Sequence, residues 1–266
     1  MTKYLISPAA LAALPGEQRV IIDCRFSLAE VEAGRNSYQQ SHITGAHYLH
    51  LDEDLSGTKA AHGGRHPLPD TQQLQQRLQQ LGLNKNQLVV VYDDQRMAFA
   101  ARLWWLLRYM GHEQVKILEG GYSAWQQAGL LCDNVQPIST PGDFMASPKP
   151  EWVVSREQVL NRAADTVLID SREAARYQGL EEPIDPVAGH IEGAVNFPWQ
   201  SVTDEQGCFV NEQVQPRWQQ LLSSKELMVY CGSGVTACVN LLSLAEAGRD
   251  DAKLYAGSWS DWCSYL

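Results

Sequence analysis

Four short stretches of this chain occur twice, in the same order. Ile21-Ile22-Asp23-Cys24-Arg25 returns as Leu168-Ile169-Asp170-Ser171-Arg172, and Ser41-His42-Ile43-Thr44-Gly45-Ala46 returns as Gly189-His190-Ile191-Glu192-Gly193-Ala194. Val90-Val91-Tyr92-Asp93 returns as Met228-Val229-Tyr230-Cys231. Leu118-Glu119-Gly120-Gly121-Tyr122-Ser123-Ala124-Trp125 returns as Tyr255-Ala256-Gly257-Ser258-Trp259-Ser260-Asp261-Trp262. The members of each pair lie 137 to 148 residues apart in a chain of 266. A period that long is a duplicated domain, not a solenoid. The expected division is one domain over 1–132, a linker over 133–150 marked by Pro137, Pro141, Pro148 and Pro150, and a second domain over 151–266.

Within the first copy, short β-prone runs alternate with helical patterns. Val20–Ile22, Leu88–Tyr92 and Val115–Leu118 read as strands; Leu74, Leu78 and Leu81 mark an amphipathic helix. Phe99–Met110 is an apolar helix stopped by Gly111, and Tyr122–Ala128 a final helix before Gly129. This alternation predicts an α/β fold, with a parallel sheet covered by helices on both faces. Ligands in such folds bind at the carboxyl ends of strands.

One such end carries the chemistry. Leu227–Tyr230 is a buried-strand pattern, followed by Cys231-Gly232-Ser233-Gly234-Val235-Thr236 and then a helical run with Leu241 and Leu244, closed by Gly248. A strand, a glycine-rich turn and a helix start aim backbone N–H groups at one point, which favours a negative atom. The thiolate is the nucleophilic form of cysteine, so Cys231 is the candidate nucleophile. A cysteine phosphatase needs an arginine to clamp its phosphate, and Gly232–Cys238 contains no arginine or lysine. A smaller target, such as a single sulfur atom, suits this loop better. In the first copy Asp93 stands where Cys231 does, and a carboxylate cannot carry sulfur, so that half is expected to be catalytically silent.

The Asp-x-Arg, Gly-His-Ile-x-Gly-Ala, cysteine-loop and Gly-Ser-Trp motifs together resemble the tandem rhodanese-family sulfurtransferases over nearly the whole chain. The Cys-Gly-Ser-Gly-Val-Thr loop is similar to the 3-mercaptopyruvate sulfurtransferase branch; the thiosulfate branch usually has basic residues in place of Gly232 and Ser233. The resemblance implies two rhodanese-like domains and a persulfide on Cys231. It implies a sulfur donor that leaves as pyruvate, and an acceptor such as a small thiol, reduced thioredoxin or cyanide. It implies no metal or organic cofactor. Gly232, Gly234, Val235 and Thr236 would line the substrate loop. Ser233 would work with a histidine and an aspartate, matching His66 and Asp52, between which this chain has extra residues around Gly57–Gly64. Arg176 matches the arginine that binds the substrate carboxylate. A second arginine is usual further along that loop, where this chain has Asp185, a departure that implies looser binding of mercaptopyruvate. Arg172 has a counterpart in Arg25 and reads as the partner of Asp170; His42 and His190 recur in both halves and read as structural. Thiosulfate as donor, and a non-catalytic binding module, are the alternatives.

Composition narrows the partners. A net charge of −10 argues against nucleic acid and anionic membrane, and makes local positive groups necessary for any anionic substrate. The sequence has no apolar run of membrane-spanning length and no leader pattern at its start, and its six cysteines form no CxxC pairs. A reducing cytoplasm is the expected compartment.

Overall fold

The computed structural model describes residues 2–266, which separate into two compact units. The first runs to Ser56, resumes over Pro69–Pro148 and includes Thr203–Phe209; the second comprises Gly57–Leu68, Lys149–Val202 and Val210–Leu266.

The first unit is built on a five-stranded sheet in the order Leu5–Ile6, Val115–Leu118, Leu88–Tyr92, Arg19–Asp23, Ala46–Tyr48. Every pairing in it is parallel. Val89, Val90 and Val91 are fully buried, as the β-branched run of a parallel sheet covered on both faces requires. The helices Thr71–Gln80, Ala100–Tyr109 and Gly121–Gln127 alternate with these strands. Asp70 caps the first of them by accepting from the N–H groups of Gln72 and Gln73.

The second unit repeats the plan with four parallel strands in the order Lys253–Leu254, Glu226–Tyr230, Thr166–Asp170, Val195–Asn196. Tyr230 pairs with Asp170 just as Tyr92 pairs with Asp23. The two cores match as well. Ile21, Ile43, Tyr92 and Tyr122 cluster in the first, and Leu168, Ile191, Tyr230 and Trp259 in the second. The apolar helix after the cysteine loop runs Ala237–Glu246, and Gly248 beyond it has φ +91°, a left-handed stop that suits glycine. Among the described residues no helix is long and apolar enough to cross a membrane.

Residues 133–148, read as linker from their prolines, group with the first unit. They form no helix, as their prolines dictate, but they are strapped down. Gly142 N–H donates to the Gln79 carbonyl at 2.8 Å, Phe144 is buried, and Ser147 N–H donates to the Met110 carbonyl at 2.8 Å. Gly57–Leu68 belongs to the second unit although it lies within the first copy's sequence. Gly63 N–H donates to Asp261 Oδ1 at 2.6 Å and Arg65 N–H to Ser260 Oγ at 3.1 Å. A Cβ on Gly64 would lie 2.4 Å from the Gly257 carbonyl oxygen, so only glycine allows that approach.

Candidate active site

The strand ends of both units rest on the same ionic frame. Asp170 accepts from the Arg172 guanidinium at 2.7 Å, and Arg172 Nη2 also reaches the Gly189 carbonyl at 2.6 Å. Asp23 and Arg25 make the corresponding pair at 2.7 Å, with the Ser41 carbonyl at 2.7 Å. The hydroxyls of Tyr92 and Tyr230 accept from Ile43 and Ile191 N–H. His42 and His190 each stack on a tyrosine, Tyr38 and Tyr177, and place Nδ1 at that tyrosine's carbonyl. Pairs that recur in both copies cannot distinguish them, so any difference in chemistry must come from what differs.

What differs is the residue after the central strand. In the first unit the Asp93 carboxylate accepts from the N–H groups of Gln95, Met97, Phe99 and Ala100, at 2.8 to 3.1 Å. The loop's donors thus converge on a side chain of the loop itself, although burial still pushes that carboxyl above its usual range. In the second unit Cys231 occupies this position, and Gly234 N–H donates to Cys231 Sγ at 3.1 Å. Gly234 has φ +76°, and a Cβ there would lie 2.3 Å from the Ala256 carbonyl oxygen, so both conformation and space demand glycine.

The Gly257-Ser258-Trp259 motif holds the cysteine's backbone. Cys231 N–H donates to Ser258 Oγ at 3.1 Å, Trp259 N–H donates to the Cys231 carbonyl at 3.0 Å, and Ser260 N–H donates to the Gly232 carbonyl at 2.9 Å. Ser258 adopts φ +56°, a left-handed conformation costly for a residue with a side chain. In the first copy Gly121 takes that place at φ +58°, without strain. The strained serine is the one whose hydroxyl accepts from the Cys231 N–H.

Two residues beyond Cys231, Ser233 Oγ lies 2.8 Å from His66 Nδ1, both side chains being buried. Asp52 falls in the first unit, where its N–H donates to His50 Nδ1 at 3.2 Å. Arg176 stands beside the cysteine loop: a Cβ on Gly232 would be 3.5 Å from both Nη1 and Nη2. Its Nη2 bonds Glu182 Oε1 at 2.6 Å and Asp185 Oδ2 at 3.3 Å. Burial raises the Glu182 carboxyl, but Arg176 and the N–H groups of Asp185 and Ile184 outweigh it and hold the carboxyl below its usual range. Asp185 is pushed up by burial, with Arg65 opposing.

The second unit therefore gathers Cys231, Gly232, Ser233, Gly234, His66 and Arg176. It also brings in Arg65, which sequence reasoning passed over; the available signal was its place next to His66, after Gly63-Gly64. Ser258 belongs to the Gly257-Ser258-Trp259 motif, which could close one side of the site but whose echo in the first copy leans structural. Other thiols are poor rivals. Burial, aided by the carboxylates of Asp23, Asp93 and Asp54, pushes Cys24 well above its ordinary value, and burial takes Cys263 to about 11. All six cysteines are free.

A rhodanese-like domain model matches residues 7–128 and again 155–265. The chain belongs to the rhodanese family. This rhodanese is 42% identical, over 97% of its length and 94% of the relative's, to a protein of Pseudomonas aeruginosa named a probable 3-mercaptopyruvate sulfurtransferase. A Mycobacterium tuberculosis relative, 37% identical over 98% of this chain and 94% of its own, is provisionally named a thiosulfate sulfurtransferase. The crystal structure of SseA from Escherichia coli, presented with the rhodanese fold of 3-mercaptopyruvate sulfotransferases, matches with a TM-score of 0.84 and 31% identity. The match covers 97% of this chain and all of that one.

Proposed function

We propose that this rhodanese moves sulfur from 3-mercaptopyruvate, through a Cys231 persulfide, to a thiol. The observation that carries the reading is the grouping on one loop of a cysteine sulfur receiving an N–H, a serine joined to a histidine, and a flanking arginine. The Cys231 thiolate attacks the donor sulfur, forming the S–S bond of the persulfide while the donor's C–S bond breaks. The electron pair passes to the enolate of pyruvate, which takes a proton from solvent and leaves. The Ser233 hydroxyl, oriented by His66, is suited to donate to the developing enolate oxygen. Arg176 holds the carboxylate. Asp52 enters only through the family resemblance, as the residue that orients His66. An acceptor thiolate then takes the outer sulfur and restores the Cys231 thiolate; a small thiol or reduced thioredoxin has the required chemistry. The cycle is ping-pong and draws on no metal or organic cofactor. The cysteine-loop chemistry suits a reducing, cytoplasmic setting.

Thiosulfate is the second reading, and one observation favours it. Gly232 and Ser233 carry no charge, yet two guanidinium groups stand against Gly232, so the site is not without attraction for a dianion. The test is one preparation assayed with both donors. Higher kcat/KM with 3-mercaptopyruvate, and an intact mass raised by one sulfur after incubation with it, support the first reading; a higher value with thiosulfate overturns it.

A further inference from the structure

We infer that Arg65 is the second carboxylate-binding arginine of this site, supplied by the Gly57–Leu68 segment in place of the arginine that position 185 lacks. The inference rests on a donor that carries a carboxylate, as proposed above. An unbroken run of opposite charges leads to it. Asp170 pairs with Arg172, Arg172 with Glu182 at 3.1 Å, Glu182 with Arg176 at 2.6 Å, Arg176 with Asp185 at 3.3 Å, and Asp185 with Arg65. Asp170, Arg172, Glu182 and Asp185 are almost fully enclosed, whereas Arg176 keeps 14% and Arg65 at the end 28% of its side chain exposed.

The free edges of the last two guanidiniums converge. Arg65 uses Nη1 for Asp185, and its Nη2 lies 3.1 Å from where a Cβ on Gly232 would stand. Arg176 uses Nη2 and Nε for the carboxylates, and its Nη1 lies 3.5 Å from the same point. Among the described residues neither Arg65 Nη2 nor Arg176 Nη1 carries a hydrogen bond. Two N–H-bearing nitrogens aimed at one point beside the nucleophile suit the two oxygens of a carboxylate. The missing side chain at Gly232 leaves the space. Asp185 then has a positioning role: it holds Arg65 by one nitrogen and leaves the other facing the loop. The Arg65 backbone is anchored independently through its N–H to Ser260 Oγ.

The test is steady-state kinetics with 3-mercaptopyruvate for wild type, Arg65→Met, and the charge-neutral pair Arg65→Met with Asp185→Asn. Loss of a charged hydrogen bond predicts a KM raised by roughly tenfold to a hundredfold in Arg65→Met, with kcat within about twofold. KM is expected to stay raised in the neutral pair. Discharge of a preformed persulfide to a thiol without a carboxylate is expected to match wild type. If the neutral pair regains the wild-type KM, Arg65 serves only to neutralise Asp185 and the assignment is overturned. An unchanged KM in Arg65→Met, with normal wild-type turnover, overturns it too. A wild-type enzyme that takes no sulfur from 3-mercaptopyruvate overturns the parent reading along with it. Should Arg65→Met not fold, Arg65→Lys keeps the charge against Asp185 but loses the fork; a severalfold rise in KM supports the assignment, and no rise overturns it.

Discussion

His66 Nδ1 and Ser233 Oγ stand 2.8 Å apart, although 167 positions separate them in sequence. If the pair acts as a unit on the leaving enolate, its members are not independent. Ser233→Ala and His66→Ala are each expected to lower kcat by about a hundredfold, and the double variant to be no worse than the more damaged single one. A double-mutant cycle on kcat measures this; additive losses would separate the two residues.

Cys231→Ser is expected to abolish sulfur loading, since an alcohol lacks the polarizable thiolate. Intact mass after donor incubation reads it directly. The mass gain of one sulfur is expected to survive Cys24→Ser and Cys263→Ser, whose thiols burial holds in the protonated form.

Arg176→Ala removes a charged hydrogen bond to the donor carboxylate, worth roughly 1.5–3 kcal/mol, and the cost is expected in KM because the carboxylate is held alike in ground and transition states. Transfer from the persulfide to a thiol is expected to proceed normally, since pyruvate has already left. A variant that melts at the wild-type temperature but keeps the wild-type KM would assign Arg176 to the ion-pair run alone.

Ser258 joins backbone strain to a service for the nucleophile, and two substitutions separate them. Ser258→Ala keeps the strained conformation and strands the buried Cys231 N–H, a loss of about 1–3 kcal/mol. Ser258→Gly loses the same bond but relieves the left-handed backbone, so its net loss is expected to be smaller by about 1 kcal/mol. Urea unfolding of both variants, compared with wild type, gives the order; a glycine variant less stable than the alanine variant would contradict it.

The first unit carries a pH signal of its own. Burial, with Arg77 and His42 adding, lowers His47 from its ordinary 6.5 to about 4, and Ser139 Oγ lies 3.0 Å from its Nε2. Between these values the unfolded chain binds more protons than the folded one. Stability is therefore expected to fall as pH drops from about 6.5 to about 4, and to be fully present above that window. His47→Gln is expected to flatten this part of the stability curve, measured by denaturant midpoint at each pH.

Much of this molecule was legible in the sequence because it is local or periodic. The duplicated strands follow from β-branched runs such as Val89–Val91, and Asp23–Arg25 and Asp170–Arg172 are pairs two residues apart that the backbone alone brings together. The strand, glycine turn and helix start around Cys231 mark it as the candidate nucleophile through local geometry. Asp93 in the matching place is what makes the first copy the one expected to be silent.

Only the tertiary structure decided which distant side chains complete the site. Arg65 and Asp185 are 120 positions apart, and Cys231 and Ser258 are 27 apart. Neither pair has a periodicity that could betray it, because a charge pair or a hydrogen bond between loops depends on where the folded backbones approach. That approach rests on missing side chains: Gly64 against the Gly257 carbonyl, Gly234 against the Ala256 carbonyl, and Gly232 beneath two guanidiniums. Local sequence patterns were enough for the repeated sheets and for singling out Cys231 as the candidate nucleophile. The close approach of glycine backbones in the second unit decided which arginines, and which histidine, face it.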